Sequence, residues 1–412
     1  MPCYDFNSIV ERSGSLSVKY APRAIESICN NAHAQPFWVA DMDFAVAMEI
    51  SQAIAEQAAH GVLGYPLFSS LREEFFDWAM MRHQWGPDIN RIAIGPGMLT
   101  TLALLLDLYT KRGDAVIVPM PAYRPFVQMV RENKRTLVEW HFTYDSKQHR
   151  FTIDSNQLEH LIREHHPGAL IFCSPHNPSG RVFSYEELNE VAYLAAKYHI
   201  IVISDEIHAD LAYPGFKHIP FDTVALDNGC RAVTCMAPSK TFNIPGEHYC
   251  NAVFTDSELA KGFITRLHSL FLGTGLFSTV AASAAYRYGY DWLIQLIEYL
   301  DAQAHHIEEV LRPSPIRCIV PEASFIGFID CSAIVESVAI DATRKPDLYD
   351  PAGSPHGGLL SRFFGQRAGI AMNDGSWFGS DYGSFVRFNF GTSRKRVDMA
   401  LSRMLEAVDR LD

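Results

Sequence analysis

Between residues 92 and 235, short apolar runs alternate with helical patterns. The runs are nearly free of charged side chains, which is typical of parallel strands buried on both faces. They are Ile92–Ile94, Ala115–Val118, Thr136–Trp140, Ala169–Cys173, Ile200–Ser204 and Ala232–Cys235. Helical patterns lie between them, including Met98–Tyr109 and a helix from Tyr185 that Ser184 and Glu187 open as a capping box. Because parallel strands need crossover connections, the alternation predicts an α/β domain with a mostly parallel sheet.

A chain of 412 residues exceeds one ordinary core, so we expect more than one domain. The pattern changes near residue 290, where a long amphipathic helix, Asp291–Leu311, begins. Strands are expected within Ile316–Ile334 and at Phe385–Phe390, with loops over Asp350–Ser384. We therefore predict an irregular N-terminal segment that joins the small domain, a large domain and a small C-terminal α+β domain, at residues 1–45, 46–289 and 290–412.

The composition argues against several classes of partner and indicates a cellular compartment. A net charge of −12 argues against nucleic acid as a partner, because phosphate binding needs clustered basic residues. No run approaches about 20 apolar residues, so we expect no membrane partner. The N-terminus lacks the regions of a signal peptide. The eight cysteines show no CxxC spacing, so we expect free thiols, no metal site and a cytoplasmic location.

Lys240 is the strongest single candidate for chemistry. It follows the apolar run Ala232–Cys235 in a Pro-Ser-Lys turn, and ligands of open α/β sheets bind beyond the carboxyl ends of strands. Burial there would lower the pKa of the amine from about 10.4 and make it a nucleophile. A solvated surface lysine is the alternative interpretation.

Other strand ends carry polar groups that suit a planar, phosphorylated ligand. The turn Gly95-Pro96-Gly97 precedes a helix, whose backbone N–H groups at Gly97, Met98 and Leu99 can cradle a phosphate. The further candidates are Tyr123 for stacking, Asn177 as an amide donor, Asp205 and His208 for a ring nitrogen and its surroundings, and Arg387 for a carboxylate. Taken singly, each can be a turn, a cap or a surface residue.

Taken together, these residues resemble the fold type I pyridoxal-phosphate enzymes of the class I/II aminotransferase superfamily. Within it, the chain is similar to the cystathionine β-lyase and C–S lyase group. The matching stretches are Trp38–Phe44, His60–Tyr65, Ser174–Gly180, Asp205–Leu211, Ser239–Gly246 and Phe385–Arg394. The resemblance implies a seven-stranded, mostly parallel sheet in the large domain, a smaller α+β domain, and pyridoxal 5′-phosphate as cofactor.

The resemblance also assigns roles at the cofactor ring. Lys240 would form the Schiff base with the cofactor and remove the substrate α-proton. Asp205 would pair with the ring nitrogen, and Tyr123 would stack on the ring. Asn177 would contact the ring hydroxyl, with His208 beside it.

The remaining roles concern the phosphate and the substrate. The phosphate would be bound by Gly97, Met98, Leu99, Ser239 and His248. Tyr65 would reach it from a neighbouring subunit, which implies a homodimer with a shared active site. Arg387 would bind the α-carboxylate of an amino-acid substrate, with Ala40 and Arg124 also at the substrate.

Four positions depart from the pattern of this group. Arg124 follows Tyr123 where a second aromatic residue is common, and it could attract an acidic substrate tail. Ala237 replaces a phosphate-binding hydroxyl, and Glu247 replaces a leucine. His248 stands where relatives have a basic phosphate contact, so it could compensate.

Three functions follow from this interpretation. The first is β-elimination from cystathionine or another cysteine S-conjugate, which yields a thiol, pyruvate and ammonia. The second is amino transfer on the same scaffold, which needs the same lysine, aspartate and arginine. The third is a regulatory binding protein, which the intact set of Lys240, Asp205 and Arg387 argues against.

Overall fold

The computed structural model describes residues 3–68 and 70–411. Of the predicted domains, only residues 1, 2, 69 and 412 lie outside this part. The strands are β1 Gln35–Pro36, β2 Ile92–Gly95, β3 Ala115–Met120, β4 Thr136–His141, β5 Thr143–Asp145, β6 Arg150–Thr152, β7 Ala169–Cys173, β8 Ile201–Asp205, β9 Ala232–Met236, β10 Cys250–Phe254, β11 Arg317–Ile319, β12 Ile326–Asp330, β13 Ile370–Ala371, β14 Asn373–Asp374 and β15 Phe385–Asn389.

Helices separate most of these strands. They are α1 Pro22–Cys29, α2 Met48–His60, α3 Leu71–His83, α4 Met98–Tyr109, α5 Arg124–Glu132, α6 Ser155–His165, α7 Tyr185–Lys197, α8 Phe221–Asp227, α9 Pro238–Thr241, α10 Ser257–Ser269, α11 Leu276–Tyr288, α12 Tyr290–Leu311, α13 Val335–Arg344, α14 Leu359–Arg367 and α15 Arg394–Asp409. The capping box predicted at the start of α7 is present, since Ser184 and Glu187 each bond the other's backbone N–H. Within the described residues, no helix is long and apolar enough to cross a membrane.

The main sheet has seven strands in the order β2-β10-β9-β8-β7-β3-β4. The strands pair in parallel except β10, which runs antiparallel to both of its neighbours. The predicted α/β fold with a mostly parallel seven-stranded sheet is therefore confirmed. Every residue of β7, β8 and β9 is buried, as their unbroken apolar runs predict.

The register of the three central strands aligns their carboxyl ends. Cys173 of β7 pairs with Asp205 of β8, and Asp205 in turn pairs with Cys235 of β9. The loops that leave these strands carry Asn177, His208 and Lys240 respectively. The pairing therefore brings three predicted site residues to one edge of the sheet.

The sequence analysis did not identify β10. The link between β9 and β10 contains only the four-residue helix α9, so no helical pattern in the sequence marks a further strand there. The link has no helix long enough to cross the face of the sheet, and β10 runs antiparallel to β9. β10 completes the sheet by joining β9 to β2.

Two regions predicted to be irregular contain regular structure. Residues 1–45 include α1 and β1, and β1 pairs in parallel with β13. The predicted loop Asp350–Ser384 contains α14, β13 and β14. The glycines and prolines of this region lie mainly on either side of α14. Because glycine and proline indicate turns, they obscured the pattern of this nine-residue helix. The smaller sheet, β11-β12-β15-β14, is antiparallel.

A buried carboxylate fixes the short helix α9 to α3. Asp210 accepts hydrogen bonds from the Thr241 hydroxyl (2.9 Å) and the Trp78 indole (3.0 Å), and it contacts His83 Nε2 at 2.8 Å. Burial alone would raise the pKa of Asp210, but the contacts with His83 outweigh it and the pKa is lowered. Because Thr241 follows Lys240, this carboxylate also fixes the backbone of the lysine.

Replacing Asp210 should destabilise the fold. Asp210→Ala leaves three buried polar partners without their acceptor, so we expect the free energy of unfolding to fall by about 3 kcal/mol. Urea denaturation measures the change. Asp347→Ala, at an exposed position, is the matched control and should stay within about 0.5 kcal/mol of the parent. Equal stability of the two variants would contradict the role given to Asp210.

Candidate active site

A cavity of about 200 Å³ lies at the carboxyl edge of the main sheet. Most of the predicted site residues line it, although they come from six separate stretches of the chain. Those that line it are Ala40, Gly97, Met98, Leu99, Tyr123, Asn177, Asp205, His208, Ser239, Lys240 and His248. The structure thus brings together the residues predicted for the cofactor, apart from Tyr65.

Three predicted residues lie outside this cavity. Arg387 is buried behind its wall, where one terminal nitrogen donates to Asn177 Oδ1 at 3.2 Å. Arg124 lines a second cavity, between α5 and residues 355–380. The Tyr65 side chain is fully exposed, with a relative accessibility of 104%.

Lys240 occupies the turn after β9, within α9. Its Nζ donates a hydrogen bond to the backbone carbonyl of Ala40. Burial lowers the pKa of Lys240 to about 8, and Arg387 contributes in the same direction, while Asp41 and Asp205 oppose the shift. A nucleophilic amine is consequently available close to neutral pH, as the sequence predicted.

Asp205 ends β8 and faces the same cavity. Burial raises the pKa of Asp205 to about 7, although a backbone N–H bond from Ile207 (3.1 Å) and the charge of Lys240 favour the ionised form. A ligand cation against this carboxylate would restore its ionisation, because an opposite charge favours the charged form. The site is therefore suited to a protonated ring nitrogen.

His208 is held as a neutral ring. Burial lowers the pKa of His208 to about 3, and the charges of Lys240 and Arg387 act in the same direction. Its Nδ1 lies 3.0 Å from the hydroxyl of Ser324, which precedes β12. His208 can therefore offer a hydrogen bond to a ligand without adding charge.

The N-terminus of α4 forms one end of the cavity. Gly97 has a φ of 93°, and a Cβ there would lie 3.2 Å from the His248 Cβ, so glycine permits both the turn and the close packing of His248. The Gly97 N–H donates to the Gly95 carbonyl at 2.9 Å, and its binding of a phosphate stays a prediction. The N–H groups of Met98 and Leu99 remain as the first-turn donors of the helix.

An aromatic wall completes the cavity. Tyr123 and Phe126 both line it, and their rings meet edge to face at 5.5 Å. Burial raises the pKa of the Tyr123 phenol, with Arg387 opposing the shift. Tyr123 is therefore a neutral, flat surface on which a planar ring can stack.

The stretch Trp38–Phe44 brings Ala40 to the cavity, and its carbonyl groups accept hydrogen bonds from side chains distant in the sequence. The Trp38 carbonyl accepts from Arg387 at 2.7 Å, the Val39 carbonyl accepts from Asn389, and the Ala40 carbonyl accepts from Lys240. Further along, the carbonyls of Met42 and Phe44 accept from Asn243 at 3.0 and 2.8 Å. One extended stretch thus joins the candidate lysine to the candidate substrate arginine.

Asp41 and Asp43 hold this stretch from its other side. Asp43 accepts from Arg12 at 2.7 Å and from Lys19 at 3.0 Å, and Arg12 also pairs with Asp41 at 2.9 Å. Burial alone would raise the pKa of Asp43, but the charges of Lys19 and Arg12 lower it. The structure thus places both carboxylates in a partly buried ion cluster with Arg12 and Lys19.

Several lining residues were not anticipated from the sequence. They are Thr100, Phe126, Cys173, Ile207, Pro245, Glu247 and Tyr249. Cys173 and Ile207 adjoin strand ends and could have been inferred from that position. Tyr249 immediately precedes β10, which was itself missed, and Glu247 was noted only as a departure. Glu247 accepts a hydrogen bond from the Ser278 hydroxyl at 2.7 Å.

The residues present fit a planar aldehyde that carries a phosphate. The cavity combines an amine with a lowered pKa, a buried carboxylate, a flat aromatic wall and a helix N-terminus flanked by Ser239 and His248. These groups match, in order, an aldehyde, a basic ring nitrogen, a ring face and a phosphate. This is the chemistry of pyridoxal 5′-phosphate.

Comparisons with known proteins agree with this fit. A family model described as aminotransferase class I and II matches residues 39–404. The chain is 31% identical to cystathionine beta-lyase PatB of Bacillus subtilis over 98% of this chain and 100% of that protein. The structure is similar to a PLP-bound C-S lyase from Staphylococcus hominis, with a TM-score of 0.87 and 25% identity over 99% of both chains. It is equally similar to cystalysin from Treponema denticola, which contains pyridoxal 5′-phosphate, with a TM-score of 0.87 and 25% identity over 100% of both chains.

The lowered pKa of Lys240 can be measured in the cofactor-free protein. We expect acetic anhydride to label Lys240 half-maximally near pH 8, because burial disfavours its ammonium form. A reference peptide with a solvated lysine in the same reaction should reach that point near pH 10.4, which is about the ordinary lysine pKa. Mass spectrometry of the digested protein gives the profile of each lysine, and coincident profiles for Lys240 and the peptide would contradict the expectation.

Proposed function

This chain belongs to the aminotransferase class I and II family, and from that premise we propose that it is a pyridoxal-phosphate-dependent carbon–sulfur β-lyase. Its substrate is cystathionine or a related cysteine S-conjugate. The products are a thiol, pyruvate and ammonia, with one water molecule consumed. The 31% identity to a cystathionine beta-lyase over nearly the whole chain favours elimination over amino transfer, although amino transfer uses the same scaffold.

One observation carries the proposal. The Lys240 amine, the Asp205 carboxylate and the Tyr123 ring line a single cavity, and burial moves the pKa values of the first two to about 8 and about 7. Perturbed ionisable groups that share a cleft are a signature of catalytic sites. Here their chemistry also matches the cofactor that the structural relatives contain.

Pyridoxal 5′-phosphate, when bound, supplies an electron sink for the pair of electrons left on the substrate α-carbon after proton loss. Lys240 Nζ would hold the cofactor aldehyde and then accept the α-proton. Asp205 would keep the ring nitrogen protonated through a charge-assisted hydrogen bond. Tyr123 would stack on the ring, and Asn177 and His208 would donate to its hydroxyl oxygen.

The other roles follow from the position of each residue. The N–H groups of Met98 and Leu99, with Ser239 and His248, would bind the phosphate. Arg387 would bind the α-carboxylate, since a guanidinium suits a bidentate contact. Arg387 is already bonded to Asn177 and to the Trp38 carbonyl, so substrate binding would exchange at least one of these contacts. Ala40 would line the substrate path beside Lys240.

We further propose that the functional unit is a homodimer. Exposed apolar side chains precede and follow Tyr65, at Val62, Leu63 and Leu67, and such a patch favours a partner surface. A second copy would cover the patch and bring its own Tyr65 to the phosphate.

The eight cysteines are free, and seven are buried, which favours a reducing compartment such as the cytoplasm.

The reaction type can be decided with cystathionine alone. The enzyme loaded with pyridoxal 5′-phosphate should release pyruvate and free thiol in equal amounts without any added keto acid. Asp205→Ala should lower kcat by at least about 100-fold, because it removes the electrostatic partner of the ring. Pyruvate is followed with lactate dehydrogenase, and thiol with a chromogenic disulfide.

Asp347→Ala is the control for this assay and should retain parental turnover. Amino transfer to 2-oxoglutarate without pyruvate would replace the lyase proposal with an aminotransferase. Near-parental turnover in Asp205→Ala would remove the role of that carboxylate.

A shared active site can be tested by complementation. Lys240→Ala and Tyr65→Ala should each be almost inactive as homodimers, but a heterodimer retains one site in which both residues are native. Equal co-expression should restore about a quarter of the parental activity, because half of the dimers are mixed and each has one intact site. A mixture no more active than its components would show that Tyr65 does not act across an interface.

A further inference from the structure

Arg124 is a cation without a balancing carboxylate. Its guanidinium carbon lies 5.2 Å from the centre of the Trp377 ring, a cation–π contact. Within the described chain, no carboxylate oxygen lies within 4.0 Å of it and no hydrogen bond engages it. The side chain is partly buried at the start of α5, directly after Tyr123. A partly desolvated guanidinium with free donors favours an anionic ligand.

The cavity that Arg124 lines has room for such a ligand. Its volume is about 390 Å³, and it lies between α5 and residues 355–380. The acidic residue among its lining groups, Glu139, is already engaged by Arg131 at 3.9 Å and by His141 at 3.3 Å. A second donor is also unused, since the Trp377 indole N–H is buried without an acceptor.

The wall of this cavity contacts Arg387, the proposed partner of the substrate carboxylate. Trp377 and Phe378 are neighbours in one short 3₁₀ helix, Gly375–Phe378, and Phe378 lines the same cavity. The guanidinium of Arg387 lies 5.1 Å from the Phe378 ring, just as Arg124 lies over Trp377. The loop before Arg124 is tied to this helix as well, because the Ala122 N–H donates to the Phe378 carbonyl at 2.8 Å.

The guanidinium groups of Arg124 and Arg387 therefore pack on two adjacent aromatic rings of one helical turn. One is the proposed partner of the substrate α-carboxylate, and the other faces an adjoining cavity, whose wall includes the Phe378 ring that packs on Arg387. We propose that Arg124 and Trp377 form the subsite for the leaving group, and that the substrates are cysteine S-conjugates whose thiol portion ends in a carboxylate or another anion. The inference rests on the proposed lyase function and specifies its substrate class.

Substrates that differ only in the tail test the subsite. S-(2-carboxyethyl)-L-cysteine carries an anionic tail, S-propyl-L-cysteine a neutral tail of equal length, and S-(2-aminoethyl)-L-cysteine a cationic one. We expect the wild-type enzyme to prefer the anionic conjugate over the neutral one by at least tenfold in kcat/KM, measured as pyruvate formation. Arg124→Gln should lower that ratio at least tenfold, and Arg124→Glu should shift the preference to the cationic conjugate.

The matched control is Arg163→Gln, which removes the same charge from an exposed position on α6. Its ratio should equal that of the wild type. Circular dichroism and the visible absorbance of bound cofactor establish that each variant is folded and loaded. A wild-type ratio near one, or a ratio unchanged in Arg124→Gln while elimination proceeds, overturns the subsite alone. No elimination from any of the three conjugates or from cystathionine overturns the lyase function and the subsite with it.

Discussion

The chemistry of this site depends on the burial of one amine, that of Lys240. Lys240 is placed at the end of a fully buried strand, and its Nζ contacts a backbone carbonyl rather than a carboxylate. Desolvation therefore dominates its ionisation and lowers its pKa to about 8. A carboxylate at the position of the Ala40 carbonyl would hold the amine as a cation and remove its nucleophilicity.

The same constraint explains the stretch Trp38–Phe44. A backbone carbonyl can face the lysine only if something fixes that backbone, and here the side chains of Arg387, Asn389 and Asn243 bind its carbonyl groups. Asp43 holds it from behind through Arg12 and Lys19, which come from the N-terminal segment. Arg12 and Lys19 near the N-terminus and the side chains of strand β15 therefore both contribute to the position of the candidate amine, through the stretch that contacts it.

Burial also sets the electrostatic state of the other groups in the cavity. It raises the pKa of Asp205 to about 7 and lowers that of His208 to about 3. The cavity thus presents an amine and a carboxyl that both titrate near neutrality, beside a histidine that stays neutral. A ligand with a protonated nitrogen and an anionic group would compensate for this desolvation, because opposite charges restore the charged forms of the residues. Arg124 lies outside this cavity, and the proposed anionic end of the substrate would compensate for the desolvation of its guanidinium in the same way.

The sequence by itself determined the parallel strands, the polar residues at their ends and the glycine turn before α4. These features depend on local patterns of apolar runs, glycine and proline, which are legible over a few residues. Only the tertiary structure decided the register that aligns Cys173, Asp205 and Cys235, the antiparallel course of β10, and the engagement of the Gly97 N–H by Gly95. It also decided that Arg387 lies behind Asn177 and that Arg124 faces a different cavity. The reason is physical: burial and hydrogen-bond partners arise mostly between residues far apart in the chain, and no local pattern specifies which distant group will exclude water from a given side chain.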